Sequence, residues 1–205
     1  MKRTLFALYR LVMAALAIVA VIVQLHAVLA RQGSFANFMS FFTIQSNVFG
    51  AAIFILSAAI ALRHRTWAPL GMLRGAATMY LVITGLVTAL LLSGLQETVQ
   101  TTIPWVNTVV HQIFPIVIAL DWLIDPPQHR ITFRRALWWL VYPAAYLVYS
   151  LIRGPIAHWY PYPFLNPANG GYGKVALTSG GILAGSLILI VILTARTAIG
   201  KPRVR

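Results

Sequence analysis

Cysteine is absent from the 205 residues, and acidic side chains number three against 16 Lys and Arg. The first absence removes disulfide frameworks, thiolate nucleophiles and cysteine metal sites. The second leaves few carboxylates for acid–base pairs or oxygen-ligated metals. Only 9% of the residues are charged, 60% are hydrophobic, and the mean hydropathy is +0.80. A water-soluble globule of this size needs more polar surface than that. The net charge of +13 does not point to nucleic acid, because the basic residues sit in small groups between long apolar stretches. The chain therefore reads as an all-α, polytopic membrane protein.

Six apolar runs are long enough to cross a bilayer, at 5–30, 41–62, 76–95, 105–124, 136–152 and 175–199, and they make one domain, 1–205. Basic residues alternate around them. Lys2, Arg3 and Arg10, then Arg63, Arg65 and Arg74, then Arg130, Arg134 and Arg135, then Arg196, Lys201, Arg203 and Arg205 fall on one side. Arg31, Arg153 and Lys174 fall on the other. Because Lys and Arg are retained in the cytoplasm, both termini are expected inside. The first run is far longer than a signal-peptide core, so it is expected to be a retained span. Trp67, Trp122, Trp138 and Trp139 fall at the inner interface and Trp105 and Trp159 at the outer one, as aromatic belts. The segment 153–174, rich in Pro, Gly and aromatics, reads as an outer loop capping the bundle. Gly181 and Gly185 form a GxxxG pair, suited to close helix packing or to a homo-oligomer contact.

Polar side chains inside a membrane turn toward the bundle interior. At about 100° per residue, Thr43, Ser46, Asn47 and Gly50 share one face of the second run, and Asn107, His111, Phe114, Ile118, Asp121 and Asp125 share one of the fourth. Arg74, Thr78, Gly85 and Thr88 align on the third, and Tyr142, Tyr146, Tyr149 and Arg153 on the fifth. Gln24 and His26 face opposite ways, so only one points squarely inward. Arg74 and Asp121 lie near the inner ends of neighbouring runs, where a structural ion pair would lessen the cost of both charges.

No metal-ligand spacing and no G-x-S-x-G elbow is present, and Asp121 and Asp125 share one helix rather than opposing each other. No metal or cofactor is therefore expected. What is left for catalysis is a hydroxyl activated by histidine. Thr43 and His111, about 9 Å below Trp105 at 1.5 Å per residue, share the outer half of the bilayer. Neutral imidazole would accept the threonine proton, with Asn47, Asn107 or Tyr146 as oxyanion or substrate-binding donors. The plain alternative is packing, with Thr43 bonded to the Met39 carbonyl four residues back.

The strings FFTIQSN at 41–47, VVHQIFP at 109–115 with LDW at 120–122, and YPAAYLVYSLIRG at 142–154 running into YPYPFLN resemble the androgen-induced membrane protein family, and especially its bacterial six-span relatives. Eukaryotic members are intramembrane threonine hydrolases of fatty acid esters of hydroxy fatty acids. The resemblance implies Thr43 as nucleophile, His111 as base, a lipid-like substrate among membrane lipids, and a bacterial cytoplasmic membrane location. Arg153 would hold a carboxylate or phosphate head group, or anchor the helix at the interface. A non-catalytic lipid or small-molecule binding protein, or a transporter subunit, fits the same polar stripes.

Overall fold

A computed structural model describes residues 2–95 and 102–199. Lys201, Arg203 and Arg205 of the charge pattern lie outside the described residues. Among those described, all regular structure is helical. Five helices are long and apolar enough to cross a membrane: Arg3–Ala30, Phe42–Leu62, Leu70–Leu91, Pro104–Ile124 and Gly171–Ala198. Their outward faces carry exposed Leu, Ile and Val, which a bilayer solvates and water does not.

Helix α1 (Lys2–Ala30) buries Ala7, Arg10, Ala14, Ala17, Val21, Gln24 and Val28, a seam that steps alternately by three and four residues. Alanines on that seam let α1 lie close along α3 (Phe42–Leu62), its most extensive neighbour. Gln24 is the inward residue and His26 is exposed. A short α2 (Phe35–Met39), capped by Ser34 Oγ accepting from the Asn37 amide, turns the chain into α3. Helix α4 (Leu70–Leu91) packs on α3 and on the fourth apolar run.

That fourth run is not a uniform helix. It comprises α5 (Pro104–Thr108), a π-turn (Val109–Ile113) and α6 (Phe114–Ile124). Pro115 has no N–H to give the His111 carbonyl. The Phe114 amide instead reaches back to Val109 O, which widens the turn.

The fifth apolar run is continuous but mixed: α7 (Phe133–Ala136), a 3-10 turn (Leu137–Leu140) and α8 (Val141–Ala157). Pro143 cannot donate to the Trp139 carbonyl, and the Tyr80 hydroxyl fills that place at 2.9 Å. Two 3-10 turns, Pro163–Leu165 and Pro167–Asn169, then lead into α9 (Gly171–Ala198).

Two sequence expectations are corrected. Trp122 and Trp139 are not belt residues; both are buried, meet edge to face with ring centroids 6.2 Å apart, and Trp122 Nε1 donates to Leu193 O. Gly181 and Gly185 do not mediate close packing within the chain, since a Cβ at either would meet nothing within 4 Å.

Candidate functional site

Thr43 occupies the second position of α3, where backbone N–H groups have no partner inside the helix. Phe41 at the N-cap offers no side-chain oxygen, so the vacancy is met from elsewhere. Tyr162, in the loop between α8 and α9, reaches in, and its hydroxyl accepts from Thr43 N–H at 3.1 Å while lying 3.2 Å from Thr43 Oγ1. Phe41 and Phe164 pack on the Tyr162 ring. Burial raises the phenol above its ordinary range, although its hydrogen bonds to Thr43 act the other way. It therefore stays protonated and able to donate.

On the other side of Thr43 Oγ1, His111 Nε2 stands at 3.3 Å, and His111 Nδ1 is 2.9 Å from Asn107 Oδ1. The Asn107 oxygen only accepts, so Nδ1 carries the proton and Nε2 presents its lone pair to the threonine hydroxyl. A consistent chain follows: Tyr162 O–H donates to Thr43 Oγ1, Thr43 O–H donates to His111 Nε2, and His111 Nδ1–H donates to Asn107. Thr43 and His111 are both nearly fully buried. The threonine does not bond the Met39 carbonyl; Gln45 Nε2 donates there at 2.7 Å.

The π-turn also sets the position of His111. Asn47 Nδ2 donates to Thr43 O at 2.8 Å and to Val110 O, inside that turn, at 3.1 Å. Both amide hydrogens of Asn47 are thus committed to tying α3 to the histidine turn, and none is left for an oxyanion. Gly85 of α4 lets the helices close up, since a Cβ there would stand 3.0 Å from His111 O. Ser46 and Thr84 join hydroxyls at 3.1 Å beneath the site.

The polar stripe of α8 stitches itself to the α2–α3 corner. Tyr142 O–H donates to Gln45 Oε1, Tyr146 O–H to Ser40 O at 2.9 Å, Tyr149 meets Ser40 Oγ at 2.9 Å, and Arg153 Nη2 donates to Asn37 Oδ1 at 2.6 Å. Tyr146 therefore has its proton on a backbone carbonyl. Arg153 also lies over the Trp159 ring at 5.3 Å. His64, His129 and His158 are exposed, as loop histidines should be.

A cavity of about 110 Å³ adjoins Thr43, with Tyr146 and Tyr162 on its wall and Ile83, Val87, Leu147 and Ile182 around it. It lies among α3, α4, α8, α9 and the α8–α9 loop. Its wall also carries Thr88, whose Oγ1 has no partner.

Arg74 and Asp121 lie toward the other end of the bundle and do pair, Nη2 to Oδ2 at 2.7 Å. They are half of a larger cluster. Arg10 Nε donates to Asp121 Oδ1 at 2.8 Å, and Arg10 Nη2 to Asp125 Oδ2 at 2.5 Å. Arg10 is thus a buried partner, not merely a charge marking one side of the membrane.

Among the described residues no group of three or more His, Cys, Asp or Glu side chains is placed to hold a metal ion. Comparison with known protein families, curated proteins and solved structures gives no match.

Proposed function

We propose that this protein is an intramembrane threonine hydrolase acting on a lipid ester, of the kind implied by its resemblance to the androgen-induced membrane protein family. The observation that carries the reading is the chain Tyr162–Thr43–His111–Asn107, closed by contacts of 3.2, 3.3 and 2.9 Å. Packing alone asks only that each polar group find a partner. It does not ask that a histidine lone pair face a hydroxyl beside a cavity.

In the reaction, Thr43 Oγ1 attacks the ester carbonyl carbon as its proton passes to His111 Nε2. Asn107 holds the imidazole in the required tautomer, the role an orienting residue plays in other nucleophile–histidine sites. Tyr162 and the N-terminal turn of α3 stabilise the oxyanion. Collapse breaks the ester C–O bond, and His111 returns the proton to the departing alkoxide, releasing an alcohol. Water, deprotonated by His111, then attacks the acyl-threonine carbonyl carbon; collapse breaks the bond from that carbon to Thr43 Oγ1, His111 returns the proton to Oγ1, and the fatty acid leaves.

The cavity holds only a few water volumes at about 30 Å³ each. It receives the reacting carbonyl, while the acyl chain lies between helices, toward lipid. The reading is completed by six spans, with 133–157 as the fifth, both termini inside, and a bacterial cytoplasmic membrane as the location. A second copy would pack on the open Gly181 and Gly185 face.

The test is hydrolysis of a panel of lipid esters by purified protein in liposomes, with labelling by a fluorophosphonate probe. Thr43→Ala is expected to abolish turnover and labelling, and His111→Ala to abolish turnover, both at wild-type folding. Turnover indifferent to both substitutions would sink the proposal. The unpartnered Thr88 hydroxyl on an otherwise mostly apolar wall favours one alternative, capture of a lipid or small molecule without chemistry. Saturable binding with no hydrolysis would establish it.

A further inference from the structure

At the end of the bundle opposite Thr43, a second and larger cavity of about 980 Å³ opens between the start of α1, the end of α3 and the segments leading into α4 and α7. Among the described residues six arginines line it, and Asp125 is the only carboxylate on its wall. Two of the six, Arg10 and Arg74, are buried at 3% and 7% exposure and already face Asp121 and Asp125. The other four, Arg3, Arg65, Arg130 and Arg135, have no ion pair among the described residues. The wall therefore carries about four positive charges that no carboxylate of the described chain balances. The Arg74 Nε is buried without a hydrogen-bond partner, so even the inner cluster has an unused donor.

Retention of basic residues on one side of a membrane accounts for arginines at helix ends. It does not account for their convergence on one concavity. Guanidinium groups converging in a cleft are the arrangement that recognises phosphate, since each offers a planar fork of donors to two oxygens. Low-dielectric walls further concentrate the field of several like charges. Apolar side chains, including Phe6, Ile60, Trp67 and Met72, make up much of the remaining wall, which also carries Ser57, Thr66, Gln128 and His129. We propose that this cavity binds a phosphate-bearing anion through Arg65, Arg130 and their neighbours. The phosphate comes either from a soluble molecule or from the head group of an anionic phospholipid whose glycerol and chains lie on the apolar wall. This site is separate from Thr43 and stands whether or not the protein is a hydrolase.

The experiment uses the full chain in phosphatidylcholine nanodiscs at constant ionic strength. Inorganic phosphate, dihexanoyl phosphatidate and dihexanoyl phosphatidylcholine are titrated, with binding read from thermal stability and calorimetry. The variants are Arg65→Gln/Arg130→Gln, both exposed and outside the buried cluster, and Arg31→Gln at the opposite end as control. Saturable binding of phosphate or phosphatidate is expected, weakened roughly tenfold or more in the double variant and unchanged in Arg31→Gln. Binding of phosphatidate alone assigns the lipid as source, and binding of both assigns the phosphate group itself. The proposal is overturned by no saturable binding above the salt background, by equal binding of phosphatidylcholine, or by equal loss in the Arg31→Gln control.

Discussion

Asp121→Asn probes the buried charge cluster with the smallest change of shape. Asp121 receives Arg10 Nε on Oδ1 at 2.8 Å and Arg74 Nη2 on Oδ2 at 2.7 Å. Asparagine keeps one acceptor, loses the negative charge, and turns an NH2 toward a guanidinium. Uncoupling a buried ion pair costs about 3–5 kcal/mol, because the remaining charge stays desolvated. Asp125 still reaches Arg10 at 2.5 Å and offsets part of this, so about 3 kcal/mol is expected. Asp125→Asn should cost about 1 kcal/mol or less, since the Asp125 side chain is 44% exposed against 2% for Asp121 and water screens it. Against a total stability of roughly 5–15 kcal/mol the first loss is large and the second small. Thermal unfolding in detergent, followed by tryptophan fluorescence, separates them. Equal midpoints for the two variants would refute the assignment of Asp121 as the anion that holds both arginines.

Four further outcomes are expected. Asn107→Ala should lower kcat by about 10²-fold, less than His111→Ala, because the base survives but its tautomer is no longer fixed; steady-state hydrolysis assays check the order. Tyr162→Phe should lower kcat by roughly 10²–10³ with KM nearly unchanged, and a rise in KM with kcat unchanged would contradict the oxyanion role. Burial raises the Tyr162 pKa, so its stabilising share is full below about pH 10 and declines as pH rises toward the folded value. Melting between pH 8 and 11 should therefore fall less steeply in Tyr162→Phe than in wild type. Gly75→Ala drives a Cβ into the Trp139 ring whereas Gly181→Ala meets no atom of its own chain within 4 Å; melting of the detergent-dispersed monomer should show a loss of about 1–3 kcal/mol for the first and no loss for the second.

The interior stripes were legible because a polar side chain in hydrocarbon has one sensible direction, and helical spacing supplies it. Tyr142, Tyr146, Tyr149 and Arg153 all turned out to bond the segment 37–45. Depth reasoning put Thr43 and His111 at one level, but their approach to 3.3 Å depends on helix packing that depth does not supply. The role of Arg10 was not legible: near the end of an apolar run, an arginine that marks the cytoplasmic side and one that pairs inside look alike until burial is known. Tyr162 was not legible either. It lies 119 residues from Thr43, in a loop whose irregular backbone obeys no period. Asn107 was legible as a neighbour of His111, one turn away, but its part as acceptor rather than donor depends on which ring nitrogen it meets. Trp122 and Trp139 misled because belt statistics speak of average depth, not of a groove that fits an indole.

The π-turn at Val109–Ile113 gives the fourth apolar run one residue more than an α-helix of the same length would contain. That surplus frees the Val110 carbonyl for Asn47. It also sets the phase of Asp121 relative to Asn107 apart from what uniform α-helix between them would give. Deleting one residue such as the exposed Gln112 would leave the Phe114 amide on Val109 O as an ordinary α-helical bond and both ends of the run near their present phase, and would change chiefly the turn that presents His111. The extra residue is housed as a local bulge: it decides where the histidine stands, while Asn107 on one side and Asp121 on the other hold their own partners.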